Sequence, residues 1–234
     1  MTDSALPTEF AAAPASFAQQ GLWYQAELDP GNPAYHVPVV LRMTGTVDTR
    51  AISRAVQAIV DRHEVLRTTF VWQDGELLQV IHPRLAIAVP VEDIAGDEET
   101  LDARIREHIH EPFDLVRGPL LRFRLLRRPH DAVLVGTMHH LVTDGWSIGL
   151  LQKEFAAAYM GEPLPELPLQ YADFAEWQQE QAATAWTDQI AYWRERLRPP
   201  LPQTEIPPDF ARTLGNRYHG ATERLRIPAA TLDG

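Results

Sequence analysis

Apolar residues recur at helical spacing in some stretches of the chain and gather into β-rich runs in others. In VDTRAISRAVQAIVDRHE the apolar positions are Ile52, Ala55, Val56, Ile59 and Val60. That i, i+3, i+4, i+7, i+8 pattern predicts a helix, with Asp48 as its cap. An earlier helix is predicted from Ser16 to about Glu27, capped by Ser16, with Leu22, Trp23 and Ala26 facing inward. EETLDARIREHIHEPF reads as a third helix, stopped by Pro112. WSIGLLQKEFAAAYMG reads as a fourth. Its inner stripe is Ile148, Leu151 and Phe155, and Gly161 stands where a C-terminal cap belongs. YADFAEWQQEQ and TDQIAYWRERL mark two more.

Strands are predicted in HVPVVLRMTG, at Leu66–Trp72 and at Leu77–His82, with a weaker one at Ile87–Val91. LLRFRLLR and AVLVGTMHH read as paired strands joined by the turn Pro129-His130-Asp131. A closing strand is predicted at Thr222–Ile227. Breakers lie at residues 30–33 and in the proline-rich runs PLPELPL and RPPLPQTEIPP. Residues 1–14 are small and proline-containing, and are expected to be flexible. Interspersed helices and hairpin-linked strands give an α+β class with a mixed, largely antiparallel sheet.

Composition narrows the function. The chain has 234 residues and a formal net charge of −11, which would repel nucleic-acid phosphates. It has no cysteine, hence no disulfide, thiolate metal site or cysteine nucleophile. No apolar run is long enough to cross a bilayer, and MTDSALPTEF lacks the basic region of a signal peptide. A cytoplasmic location without membrane association is the expectation.

The chemistry concentrates in MHHLVTDGWS, residues 138–147. Side chains alternate along a strand, so His140 shares a face with Leu134, Gly136 and Met138, and His139 the other with Val133, Val135 and Thr137. Two imidazoles on opposite faces do not converge on one metal ion. One is expected to serve structure and the other chemistry. Gly136 leaves room beside the His140 face for a substrate arm, or for closely packed backbone. Asp144 reads as a helix cap. Gly145 permits the turn, or offers an N–H at a positive helix terminus to a developing oxyanion. Ser147, in the first helical turn, reads as a capping or solvated residue and is set aside as a nucleophile.

MHHLVTDGWS resembles the HHxxxDG signature of condensation domains in nonribosomal peptide synthetases and of related chloramphenicol-acetyltransferase-type enzymes. SFAQQGLWY (16–24) is similar to the family's first motif, with Gly21 at its usual basic position. RHEVLRTTF (62–70) resembles its second motif and YADFAEW (171–177) its fourth. PFDLVRGPLLRFRLL (112–126) resembles the segment before the signature strand. The resemblance implies a chloramphenicol-acetyltransferase-like, two-layer α/β sandwich. It assigns residues 15–165 to the N-terminal lobe and 166–234 to a linker and the opening elements of a second lobe. Met1 suggests a lobe at a protein's start. The later motifs of the second lobe are not in the sequence, so activity in isolation is not expected.

By the same resemblance, the reaction is acyl transfer. A donor acyl or peptidyl thioester and an acceptor aminoacyl thioester, each on the phosphopantetheine arm of a peptidyl carrier protein, meet in a tunnel and form an amide. No tightly bound cofactor or metal is implied. The partners are the two carrier proteins, the rest of the second lobe and adjacent synthetase domains. His140 takes the catalytic position, and the Gly145 N–H assists at the thioester oxygen. His139, Asp144 and Arg67 are structural, Asp144 pairing with Arg67. Breaking such a pair, if buried, would cost about 3–5 kcal/mol. Ester-forming or coenzyme A-dependent acyl transfer, and non-catalytic recruitment, are the alternatives.

The remaining candidates have plainer readings. His63 is expected at the surface or as a cap, and His108 and His110 on a solvated helix face. Trp23 and Trp146 are expected to pack. The Arg-rich run RFRLLRR, residues 122–128, is a candidate docking patch for an acidic carrier protein.

Overall fold

Helix starts follow their caps in the computed structural model, which describes residues 10–202, 207–210, 223–228 and 231. Ser16 opens α1 (Phe17–Leu28). Its hydroxyl accepts the Gln19 N–H at 3.2 Å, while the Gln19 side chain accepts the Ser16 N–H at 2.9 Å. This reciprocal capping box satisfies two otherwise unpaired donors. Asp48 caps α2 (Thr49–Arg62), Asp97 caps α3 (Glu98–His110) and Asp144 caps α4 (Gly145–Met160). Gly161 ends α4 with φ 78°, a left-handed conformation that suits glycine. α5 (Tyr171–Thr184) and α6 (Thr187–Arg196) follow.

Among the described residues, seven strands form two sheets. The first is antiparallel, in the order β1 (Ala11–Pro14), β4 (Glu76–Ile81), β3 (Thr68–Gln73). β3 and β4 turn at Asp74 and Gly75, both at positive φ (51° and 87°), as a two-residue hairpin requires. The second has the order β2 (His36–Thr44), β7 (Asp131–His139), β6 (Leu121–Arg127), β5 (Val91–Asp93), parallel only between β5 and β6.

Apolar burial on both sides of β7 dictates the layering. Val133 and Val135 pack with Leu101, Ile105 and Ile109 of α3, while Leu134 packs with Ile52 and Val56 of α2 and Phe155 of α4. The α+β class and the mixed, largely antiparallel sheet are as expected. In the four-stranded sheet, helices cover β7 on both faces. Ala132 through Val135 are all 2% exposed or less, so neither face tolerates water.

Other differences have local causes. Of residues 1–14, expected to be flexible, 11–14 form β1, because the edge of β4 offers them a hydrogen-bonding partner; residues 1–9 lie outside the described residues. The weak strand expected at Ile87–Val91 begins only at Val91, after Pro90, which has no N–H to give a ladder. α5, expected among the opening elements of a second lobe, packs on β1 and on the 3-10 turn Glu64–Arg67. Tyr171 meets the Ser16 hydroxyl at 2.9 Å, and Gln178 accepts the Phe17 N–H at 2.8 Å.

The chain divides into two compact units, Met1–Trp193 and Arg194–Gly234. In the second, Arg198 and Glu195 form an exposed ion pair. The strand expected at Thr222–Ile227 is not formed by residues 223–228, which have no regular secondary structure; Thr222 lies outside the described residues.

Candidate active site

The ladder between β2 and β7 stays in register to its end, where His36 faces His139. The chain then leaves the sheet, and His140 opens a turn. Its N–H donates to the Tyr35 carbonyl at 2.8 Å, and the Val142 N–H returns to the His139 carbonyl at 3.0 Å. Leu141 and Val142 are buried in the main core, which anchors the turn from below.

The two imidazoles part company where the strand ends. His139 is buried, edge-on to the rings of His36 and Phe113. Its Nδ1 accepts the Leu141 N–H at 3.2 Å, so that nitrogen carries no proton. Burial, then the neighbouring His36 and His140, lower its pKa from 6.5 to about 4, and the ring is neutral at pH 7. His140 is partly exposed, and among the described residues no side chain hydrogen-bonds its ring.

The predicted Asp144–Arg67 pair is not made. Asp144 accepts the N–H and the hydroxyl of Ser147, whose hydrogen bonds hold its carboxyl below the usual range. Ser147 is thus part of the cap. Arg67 donates to the His82 carbonyl and, at 3.3 Å, to Glu64. The physical reason is local. The helix start supplies Asp144 with donors three residues away, while Arg67 sits just before β3, beside the end of β4, where the His82 carbonyl is within reach.

Gly145 is the first residue of α4. It is not among the residues with positive φ, and a Cβ there would meet nothing within 4 Å. Glycine at this place leaves open space in front of the backbone and is not needed for the turn itself. Trp146, expected to pack, is 87% exposed instead. Trp23 does pack, stacked on Trp72 at 5.4 Å.

The chain is similar to known proteins. The family model described as Condensation domain matches residues 11–234. The chain belongs to the condensation-domain family. It is 40% identical to the chondramide synthase cmdD of Chondromyces crocatus over 234 residues, which is 94% of this chain and 6% of that protein. It is 41% identical to the phosphinothricin tripeptide synthetase PhsC of Streptomyces viridochromogenes over 236 residues, 95% of this chain and 22% of that one. The chain therefore spans a small part of these relatives. Among solved structures, the X-domain in complex with OxyB from teicoplanin biosynthesis is similar over 91% of this chain and 50% of that one, at 30% identity and a TM-score of 0.76. The expected fold, that of the condensation domains, is thereby established.

Several features of this condensation domain escaped the sequence reading. Glu154, 7% exposed on α4, accepts from Arg62 Nε at 3.1 Å and lies 2.6 Å from His63 Nε2. His63 caps the C-terminus of α2, but its side chain is neither at the surface nor free. The available signal was an acid at the i+3 position of the inner stripe Leu151–Phe155. The buried amides of Gln19 and Gln79 were also missed; Gln19 donates to the Leu141 carbonyl, next to His140. The S-x-x-Q spacing from Ser16 was the signal for Gln19.

Other expectations are corrected. His108 is 3% exposed, burial leading the causes that lower its pKa, so it does not lie on a solvated face; His110 does. The arginines of RFRLLRR are internally matched. Arg122 caps the carbonyls ending α3, Arg124 pairs with Glu92, Arg127 with Asp93, and Arg128 with Asp131 and Glu98. They offer no unpaired positive patch. The room beside Gly136 is taken by Phe123, whose ring would lie 2.7 Å from a Cβ there. An apolar cavity of about 40 Å³ remains nearby, lined by Phe123, Met138, Ile148 and Leu151.

Proposed function

We propose that this condensation domain joins a donor acyl or peptidyl thioester to an acceptor aminoacyl thioester, forming an amide in nonribosomal peptide biosynthesis. The carrying observation is the contrast between the histidines. His139 is buried and bound, whereas the His140 ring is partly exposed and, among the described residues, hydrogen-bonded by no side chain, beside the open start of α4.

An α-amine has a pKa of about 8, so a useful fraction is neutral near pH 7 and attacks without prior deprotonation. The new C–N bond leaves a positive nitrogen and a negative oxygen on the tetrahedral adduct. His140 orients the amine, takes the proton from that nitrogen and passes it to the departing thiolate as the C–S bond breaks. The Gly145 N–H faces the oxyanion. The thioesters hang on phosphopantetheine arms of donor and acceptor peptidyl carrier proteins. The second lobe and adjacent synthetase domains complete the tunnel, and the 234 residues alone are inactive.

The test is single-turnover amide formation from carrier-loaded substrates by the full protein. His140→Ala folds normally and loses the reaction. Wild-type turnover by that variant would remove the assignment. The likeness to an X-domain bound to OxyB favours a second reading, recruitment of a partner protein. In that case His140→Ala leaves function and partner binding unchanged.

A further inference from the structure

The turn that carries His140 is tied to the far sheet by two buried glutamines. Gln19 is 2% exposed and Gln79 is 1% exposed. Gln19 Oε1 accepts the Ser16 N–H at 2.9 Å. Its Nε2 donates both protons, to Gln79 Oε1 and to the Leu141 carbonyl, each at 3.1 Å. Gln79 Nε2 in turn donates to the Pro14 carbonyl at 2.9 Å.

The chemistry of the outer partners permits one orientation. The Ser16 N–H can only donate, and the carbonyls of Leu141 and Pro14 can only accept. Neither amide can flip without setting like groups against each other. Neither can swing away without leaving buried polar groups unpaired. Both ends of the Leu141 residue are thereby held, its N–H by His139 Nδ1 and its carbonyl by Gln19. The His140 N–H is held by Tyr35. Three backbone groups at the tip, the His140 N–H and both polar groups of Leu141, are bound, while among the described residues no side chain hydrogen-bonds the His140 ring.

We propose that Gln19 is a positioning residue for His140, acting through the Leu141 carbonyl. This rests on the reading of His140 as the reacting group. An ångström of displacement at a reacting group lowers rate far more than it lowers stability. The role of Gln19 therefore shows in turnover and in the His140 ring, beyond what loss of fold explains.

The experiment compares Gln19→Met with Asp48→Ala in the full protein. Asp48→Ala removes the cap of α2 and so loses stability without touching the turn. Each variant is assayed for thermal stability, for the kcat and KM of amide formation from carrier-loaded substrates, and for the imidazole NMR resonances of His140. Gln19→Met lowers kcat by about tenfold or more with KM within about twofold, and moves or broadens the His140 resonances. Asp48→Ala does neither. If Gln19→Met does not fold, Gln19→Glu makes the same comparison, since it keeps the volume and the capping acceptor but has no N–H. The proposal is overturned if the Gln19 variant keeps the His140 resonances and kcat, or if Asp48→Ala changes both to the same extent. Undiminished turnover by His140→Ala sinks the functional reading instead, because the resonance comparison does not depend on chemistry.

Discussion

Asp144 Oδ1 accepts both the N–H of Ser147, at 2.8 Å, and its hydroxyl, at 2.7 Å. The acid of the signature is thus a helix cap in this structure, with its carboxylate turned to its own helix. Losing such a cap costs about 1 kcal/mol, well short of the cost of breaking a buried ion pair. Asp144→Ala should remain folded, with a small drop in the urea midpoint, and Asp144→Asn should keep most of the stability. A collapse of the Asp144→Ala fold would point to a partner other than Ser147.

The cluster of Arg62, His63 and Glu154 is where a buried charge is at stake. The three side chains are 8–13% exposed. Glu154→Ala leaves Arg62 without its acid, and should cost roughly 3 kcal/mol. Arg62→Ala should cost a similar amount, and the double variant less than the sum. Equilibrium unfolding of the three variants measures the coupling; simple additivity would mean that the pair is not formed.

His139 makes stability depend on pH. Its folded pKa lies below its unfolded one, so the unfolded chain binds more protons between about pH 4 and pH 6.5. The stability from neutral His139 is present above pH 6.5 and is lost as pH falls towards 4, by roughly 3 kcal/mol across that window. His36, His82 and His108 are also lowered, with burial as the leading cause, and add in the same direction. His139→Asn retains an acceptor for the Leu141 N–H and cannot titrate. Its melting temperature should therefore fall less steeply between pH 7 and pH 4 than that of the wild type.

Gly136 is held by its neighbour. A methyl group there would sit 2.7 Å from Phe123 Cε1. Gly136→Ala should destabilise by about 1–3 kcal/mol through overpacking. Adding Phe123→Leu should recover part of that loss in thermal melts, because it withdraws the ring edge that the methyl meets.

Local chemistry made much of the fold legible in the sequence. Ser16, Asp48 and Gly161 mark helix ends through groups that bond within one turn of their own position, so no distant residue is needed to interpret them. The pairing of β6 with β7 follows from a short turn and two apolar runs. Strand alternation sets the face of His139, the last ladder position, while His140 lies one residue beyond it, in the turn. The tertiary structure alone decided which charges meet. Asp144 found Ser147, Arg67 found the His82 carbonyl, and Glu154 gathered Arg62 and His63 from about ninety residues earlier in the chain. It also placed the amide of Gln19 against the carbonyl of Leu141. A hydrogen bond is decided over about 3 Å, and residues far apart in sequence come that close only after the core has packed. Periodicity determines which face a side chain takes, and the packed core determines what it touches.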